Sequence, residues 1–164
     1  MTRTTHHRDR DHFGSDFDTN IVLDATIGAT AAGSTVKVAL QDIWAQPGNV
    51  QFVIGGGASA ITTGIKGDIE LPFAGVITAV RLLADQTGDL VVDIWKQTYA
   101  SYPATVTQTI TASAKPTLSS ALKSQDTTLT GWTTAFAAGD ILRINVDSAA
   151  TVTRVTLALR VRRS

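Results

Sequence analysis

This sequence predicts an all-β fold, an antiparallel jelly-roll-like β-sandwich preceded by an extended N-terminal arm and one short helix. Three observations carry the prediction. Of 164 residues, 25 are threonine, alongside abundant alanine, valine and isoleucine; β-branched side chains suit a pleated, half-buried surface and suit long helices poorly. From about residue 50 to the end, short runs with period-two alternation follow one another, the mark of half-buried strands. Between these runs stand turn residues: Gly55-Gly56-Gly57, Gly75, Asp85 to Gly88, Tyr102-Pro103, Pro116 and Gly139-Asp140. Eight or nine short strands at such spacing predict a sandwich or barrel.

Taken in order, residues 1–20 come first. They hold all three histidines (His6, His7, His12), together with Arg3, Arg8, Arg10, Asp9, Asp11, Asp16 and Asp18, and only Phe13 and Phe17 are large and apolar. A segment this polar does not offset its ordering entropy by itself, so it is expected to order only against a partner. Residues 34–45 form the expected helix: Gly33-Ser34 caps it, Val36, Leu40, Ile43 and Trp44 share a face, and Pro47-Gly48 stops it. We place the domain boundary in the triple glycine, with an anchoring unit over 1–57 and the sandwich over 58–164. The Gly-Gly-Gly run lacks the Gly-Lys-Ser/Thr ending of a phosphate loop and reads as a flexible connector.

Strands are expected at 50–54, 61–70, 75–84, 89–98, 105–112, 117–122, 127–136, 140–147 and 152–162. In 89–98, Leu90, Val92 and Ile94 share the face opposite Asp93 and Trp95. The last two runs predict a hairpin. Leu142, Ile144 and Val146 alternate with polar residues, as do Val155, Leu157, Leu159 and Val161. A loop at 148–151 would pair Ile144 with Val155 and Leu142 with Leu157, and would set Arg143, Arg154, Arg160 and Arg162 on one outer face. Trp132, after Thr130-Gly131, is expected in the core.

Composition narrows the function. A chain of about 150 residues buries roughly 68–70% of its unfolded surface, so a core is within reach without staples. The absence of cysteine excludes a disulfide framework, thiolate chemistry and cysteine-ligated metals. Fourteen basic residues balance fourteen acidic ones, which argues against a general nucleic-acid binder. No apolar window approaches the ~18 residues of a membrane helix, and the N-terminus has no apolar signal core.

Catalytic parts are sparse. There is no Gly-x-Ser-x-Gly elbow, Glu70 is the only glutamate, and the histidines stand far from the serines of the strand region. Asp85, Asp89 and Asp93 straddle a turn and could ligate Ca²⁺, but turn aspartates more commonly cap their own backbone. We therefore expect no enzyme, no cofactor and no metal. The binding candidates are Phe13, Phe17 and Trp44 for partner docking; Trp95, Tyr99 and Tyr102 for a glycan or subunit contact; and Arg143, Arg154, Arg160 and Arg162 as an anion-facing or merely solvated surface.

Short segments in a fixed order carry a family resemblance: Asp93-Ile94-Trp95-Lys96, Tyr99-Ala100, Tyr102-Pro103, Ser113-Ala114-Lys115-Pro116, Leu129-Thr130-Gly131-Trp132, Ala138-Gly139-Asp140, Val146-Asp147-Ser148 and the closing run from Thr151 to Val161. Residues 61 to 162 thereby resemble a β-sandwich domain in virion proteins of tailed bacteriophages and gene transfer agents. The resemblance implies a viral jelly roll, terminal on fibre, spike or decoration proteins that assemble as trimers, and it brings no catalytic residues. The first 50 or so residues lie outside it and no fibre-shaft repeat is present, which favours a compact head spike or decoration subunit over a long fibre. What it implies is a non-enzymatic structural protein of a phage-like particle. Such a protein would be made in the bacterial host cytoplasm, carried on the virion surface and docked to capsid or tail proteins through its arm. The alternative is a receptor- or glycan-binding spike module that contacts a host surface glycan. Neither reading calls for nucleic acid or membrane.

Overall fold

The computed structural model describes residues 46–56 and 58–164. The expected arm and helix, with Phe13, Phe17 and Trp44, lie outside the described residues. Seven strands follow in order: β1 (Pro47–Ile54), β2 (Gly64–Glu70), β3 (Gly75–Thr98), β4 (Thr117–Asp126), β5 (Ala135–Phe136), β6 (Asp140–Ala150) and β7 (Val155–Arg163). All pairings are antiparallel, along the path β1-β7-β3-β6-β2, with β4 and β5 also paired to β3. The all-β antiparallel fold is the one the sequence predicts.

The expected turn at Asp85 to Gly88 does not end a strand. β3 runs for 24 residues. Its first half pairs with β7, from Gly75 opposite Arg163 to Ala84 opposite Val155. Its second half pairs with β6, from Asp89 opposite Ala150 to Thr98 opposite Asp140. The stretch 140–163 therefore runs beside β3 from end to end, and both bend together at 85–88 and 151–154. Such a bend is how strands change layers at a sandwich corner.

This corrects the predicted last hairpin. β6 and β7 pair with successive halves of β3 along one edge and not with each other, so Ile144–Val155 and Leu142–Leu157 are not partners. The physical reason is local. Tight hairpins want Asn-Gly, Asp-Gly or a glycine at the turn, and Ser148-Ala149-Ala150-Thr151 supplies none. Instead the corner is riveted by Asp85, whose carboxylate accepts from the Thr153 and Arg154 amides at 3.3 and 3.1 Å and from the Thr153 hydroxyl. Thr151 sits at φ +66°, a rare conformation for a β-branched residue, and its hydroxyl donates to the Thr87 carbonyl at 3.1 Å. Gly88 is buried against this corner, where a Cβ would collide with the Thr151 hydroxyl and the Ala150 carbonyl.

Other expected strands also yield. The 105–112 window contains only a 3-10 turn at Val106–Gln108 and a bridge at Thr109. Thr105 and Gln108 form a reciprocal capping box, a Thr-x-x-Gln signal that wins over β-propensity here. Within 127–136 only Ala135 and Phe136 are strand, because Asp126 accepts from the Thr128 and Leu129 amides and turns the chain. The domain boundary moves as well. β1 pairs with β7 along its whole length, so the sheet begins at Pro47 and not after residue 57. Gly55 is no flexible connector: it lies at φ +82°, with the Thr153 carbonyl where a side chain would go.

Alternation survives all of these changes. Val80, Leu82, Leu157 and Leu159 from one layer and Leu90, Val92, Ile94, Leu142 and Ile144 from the other are buried in one cluster. Each such side chain contributes about 1.5–3 kcal/mol by leaving water. Trp132 is buried as expected, and its indole N–H donates to the Ala114 carbonyl at 2.8 Å.

Candidate functional site

With Leu90, Val92 and Ile94 inward, Asp93 and Trp95 point to the outer face of the β2-β6-β3 layer. That face is not bare. After β3 the chain makes a 3-10 turn at Tyr99–Ser101, a cis Tyr102–Pro103 peptide and the capped turn at 106–108, then rejoins the sheet where the Ile110 amide donates to the Ile94 carbonyl at 2.9 Å. The segment 99–116 first crosses this face and then returns along the β3 edge, where the Val92 amide donates to the Pro116 carbonyl at 2.9 Å, and two polar clusters hold it there.

Asp93 anchors the first. It is fully buried; its Oδ1 accepts from the Thr109 and Thr111 hydroxyls at 2.6 and 2.7 Å, and its Oδ2 lies 3.0 Å from Lys115 Nζ. Lys115 also bridges to Asp147 at 2.6 Å, which accepts in turn from the Asn145 amide group at 2.7 Å. Burial pushes the Asp93 carboxyl up, but the donors from Thr109, Trp95, Thr111 and Lys115 outweigh it and hold its pKa below the ordinary value. The hydrogen bond to Asp147, then that to Asp93, raises Lys115. Both groups are thereby kept charged.

Arg143 anchors the second. Its Nε donates to Asp68 Oδ1 at 2.8 Å and its Nη2 to Asp68 Oδ2 at 3.1 Å, a two-point clasp. Nη2 also donates to the Tyr102 hydroxyl at 2.7 Å, Nη1 donates to the Ala104 carbonyl at 3.2 Å, and the guanidinium lies 4.9 Å from the Tyr102 ring centre. The Tyr102 hydroxyl donates onward to Asp68 Oδ2 at 2.9 Å. The hydrogen bond from Arg143 lowers the Asp68 pKa, and the one to Asp68 raises that of Arg143.

At the rim of this cluster lies an open groove of about 200 Å³, lined by Asp68, Glu70, Tyr99, Tyr102 and Ile141. Tyr99 is 79% exposed and Tyr102 46%. Glu70 and Ile141 are cross-strand partners two residues along from Asp68 and Arg143, the next pair on the same face.

The predicted aromatic set is therefore split. Tyr99 and Tyr102 come together at the groove, but Trp95 does not join them. It is half-buried beside Asp93, with its indole N–H out of solvent and directed to the Asp93 carboxylate. The predicted arginine face divides too. Arg154, Arg160 and Arg162 are exposed, flanking and along β7, whereas Arg143 belongs to the other layer and is clasped by Asp68. The aspartates weighed for Ca²⁺ also separate: Asp85 rivets the corner, Asp89 accepts from the Ser120 amide at 2.8 Å, and Asp93 is buried. Among the described residues no cluster of three or more His, Cys, Asp or Glu side chains is placed to hold a metal.

Sequence reasoning missed Asp68, Glu70, Ile141 and Lys115. Asp68-Ile69-Glu70 did carry a signal, two acids on one face of a strand, but only the fold shows which loop covers that face. Comparison with protein-family models, curated proteins and solved structures finds no match to this chain.

Proposed function

We propose that this protein is a non-enzymatic structural component of a phage-like particle, a compact surface spike or decoration subunit that docks to capsid or tail proteins through residues 1–45. Phe13, Phe17 and Trp44 supply the apolar contacts of docking, and the sandwich is displayed or self-associates, most simply as a trimer. One observation supports this reading above others: most charged groups of the clamped face serve the shell itself. Asp93, Lys115 and Asp147, and likewise Asp68 and Arg143, are spent on pinning the 99–116 segment to the sheet. A display domain needs that fixed shape, whereas hydrolytic chemistry needs an acid or base free to exchange protons with a substrate.

Deletion of residues 1–20 tests the reading. The truncated chain is expected to keep the β-sheet circular dichroism and unfolding midpoint of the full chain, yet to be missing from purified particles when supplied in place of it. Incorporation at the normal copy number overturns the docking role.

A further inference from the structure

The groove beside Arg143 has a chemistry that its structural neighbours do not use. It is lined by Ile141, Tyr99 and Tyr102 together with two carboxylates, those of Asp68 and Glu70. The Asp68 carboxylate is neutralised by Arg143. Glu70 is exposed and engages no other described side chain. Tyr99 stands outward, and no ring or cation stacks on it among the described residues.

Flat aromatic faces beside fixed hydrogen-bond acceptors suit a molecule with one apolar face and a belt of hydroxyl donors. Charge narrows the class further. Asp68, Glu70 and Arg143 leave the groove one negative charge in excess, which disfavours an anion. At the Tyr102 ring a cation is disfavoured as well, because the Arg143 guanidinium already lies 4.9 Å from its centre, and like charges sharing one ring repel. A ligand that spans both rings is therefore a neutral polyol, and a cation at Tyr99 alone is the competing outcome that choline reports.

We propose that this groove binds a neutral hexopyranose unit of a glycan. The apolar face of the sugar rests on the Tyr99 ring, and sugar hydroxyls donate to the Glu70 carboxylate. The Asp68–Arg143–Tyr102 clasp is a positioning device that fixes the second aromatic wall. Binding at this site does not depend on particle assembly, so either proposal can fail without the other.

The test is a titration of the isotope-labelled full chain, followed by amide chemical shifts, with the methyl glycosides of glucose, galactose, mannose and N-acetylglucosamine and, separately, with choline. At least one of the neutral sugars is expected to give saturable shifts at Tyr99, Tyr102, Glu70 and Ile141 with Kd on the order of millimolar. Tyr99→Ala is expected to weaken that binding about ten-fold or more, and Glu70→Gln about three-fold. Both positions are exposed, so the unfolding midpoint should not move. The proposal is overturned by any of three results: none of the four sugars shifts these amides saturably, sugar shifts persist at full strength in Tyr99→Ala, or choline saturates the site while the sugars do not.

Discussion

On the outer face of the β1-β7-β3 layer, Arg154, Arg160 and Arg162 stand in water. On the outer face of the β2-β6-β3 layer, Arg143 occupies the same kind of position, alternating with Leu142 and Ile144, yet it is clasped by Asp68 and lies under the 99–116 segment. Both faces begin from one pattern, an apolar residue inward and a charged one outward. What separates them is a length of irregular chain returning over one face, which alternation does not encode. Surface arginines on a strand are thus one residue type with two energetic lives. An exposed one is nearly dispensable, whereas one that has lost its water depends on its partners.

Substitutions should expose that contrast, and the largest effect is expected at Asp93. Asp93→Ala removes the buried acceptor shared by the Thr109 and Thr111 hydroxyls and one of the two carboxylates facing Lys115, for a loss of about 3 kcal/mol measured by chemical denaturation. Its pH dependence follows from the lowered pKa. A carboxylate held below its ordinary value of 3.8 stabilises the fold above that value, and the contribution fades as pH falls through the folded-state pKa. The unfolding midpoint should therefore drop on acidification below about pH 4, and Asp93→Asn should flatten that drop.

Next in size is Gly88→Ala at the corner, expected to cost about 1–3 kcal/mol from overpacking against Thr151 and Ala150, again by denaturant titration. Tyr102→Phe removes the hydroxyl shared by Arg143 and Asp68, for about 1 kcal/mol. Smallest is Arg160→Ala on the bare face, under about 0.5 kcal/mol. A loss there as large as at Asp93 would mean that the bare face is also covered, and would break the comparison.

The same contrast explains what was legible in the sequence. Which residues face inward was readable, because alternation is a local property: Leu90, Val92 and Ile94, and Leu142, Ile144 and Val146, are all buried. Which strands are neighbours was not. The 140–163 stretch reads equally well as a hairpin or as one partner bent round a corner, and only the missing turn residues at 148–151 favour the corner. Thr105 and Gln108 announced their turn through a capping box, a signal that threonine-rich β-propensity masked. The groove residues come from β2, β6 and the 99–102 turn, and their meeting depends on the strand order. Tyr99 and Tyr102 were readable as aromatics near a turn; their carboxylate neighbours Asp68 and Glu70, some thirty residues earlier, were not.

The bent ribbon also bears on how the molecule folds. β3 contributes one continuous backbone to both layers, and its partner on one side is drawn wholly from residues 140–163. Neither layer can complete its hydrogen bonds until segments about 65 residues apart have met. Folding should therefore be slow and all-or-none for its size, with the loop-closure entropy met before either layer gains its core. In the native state, amide hydrogens of β6 and β7 should exchange through a shared opening at a common free energy, since neither strand can be released without freeing the chain that spans both layers.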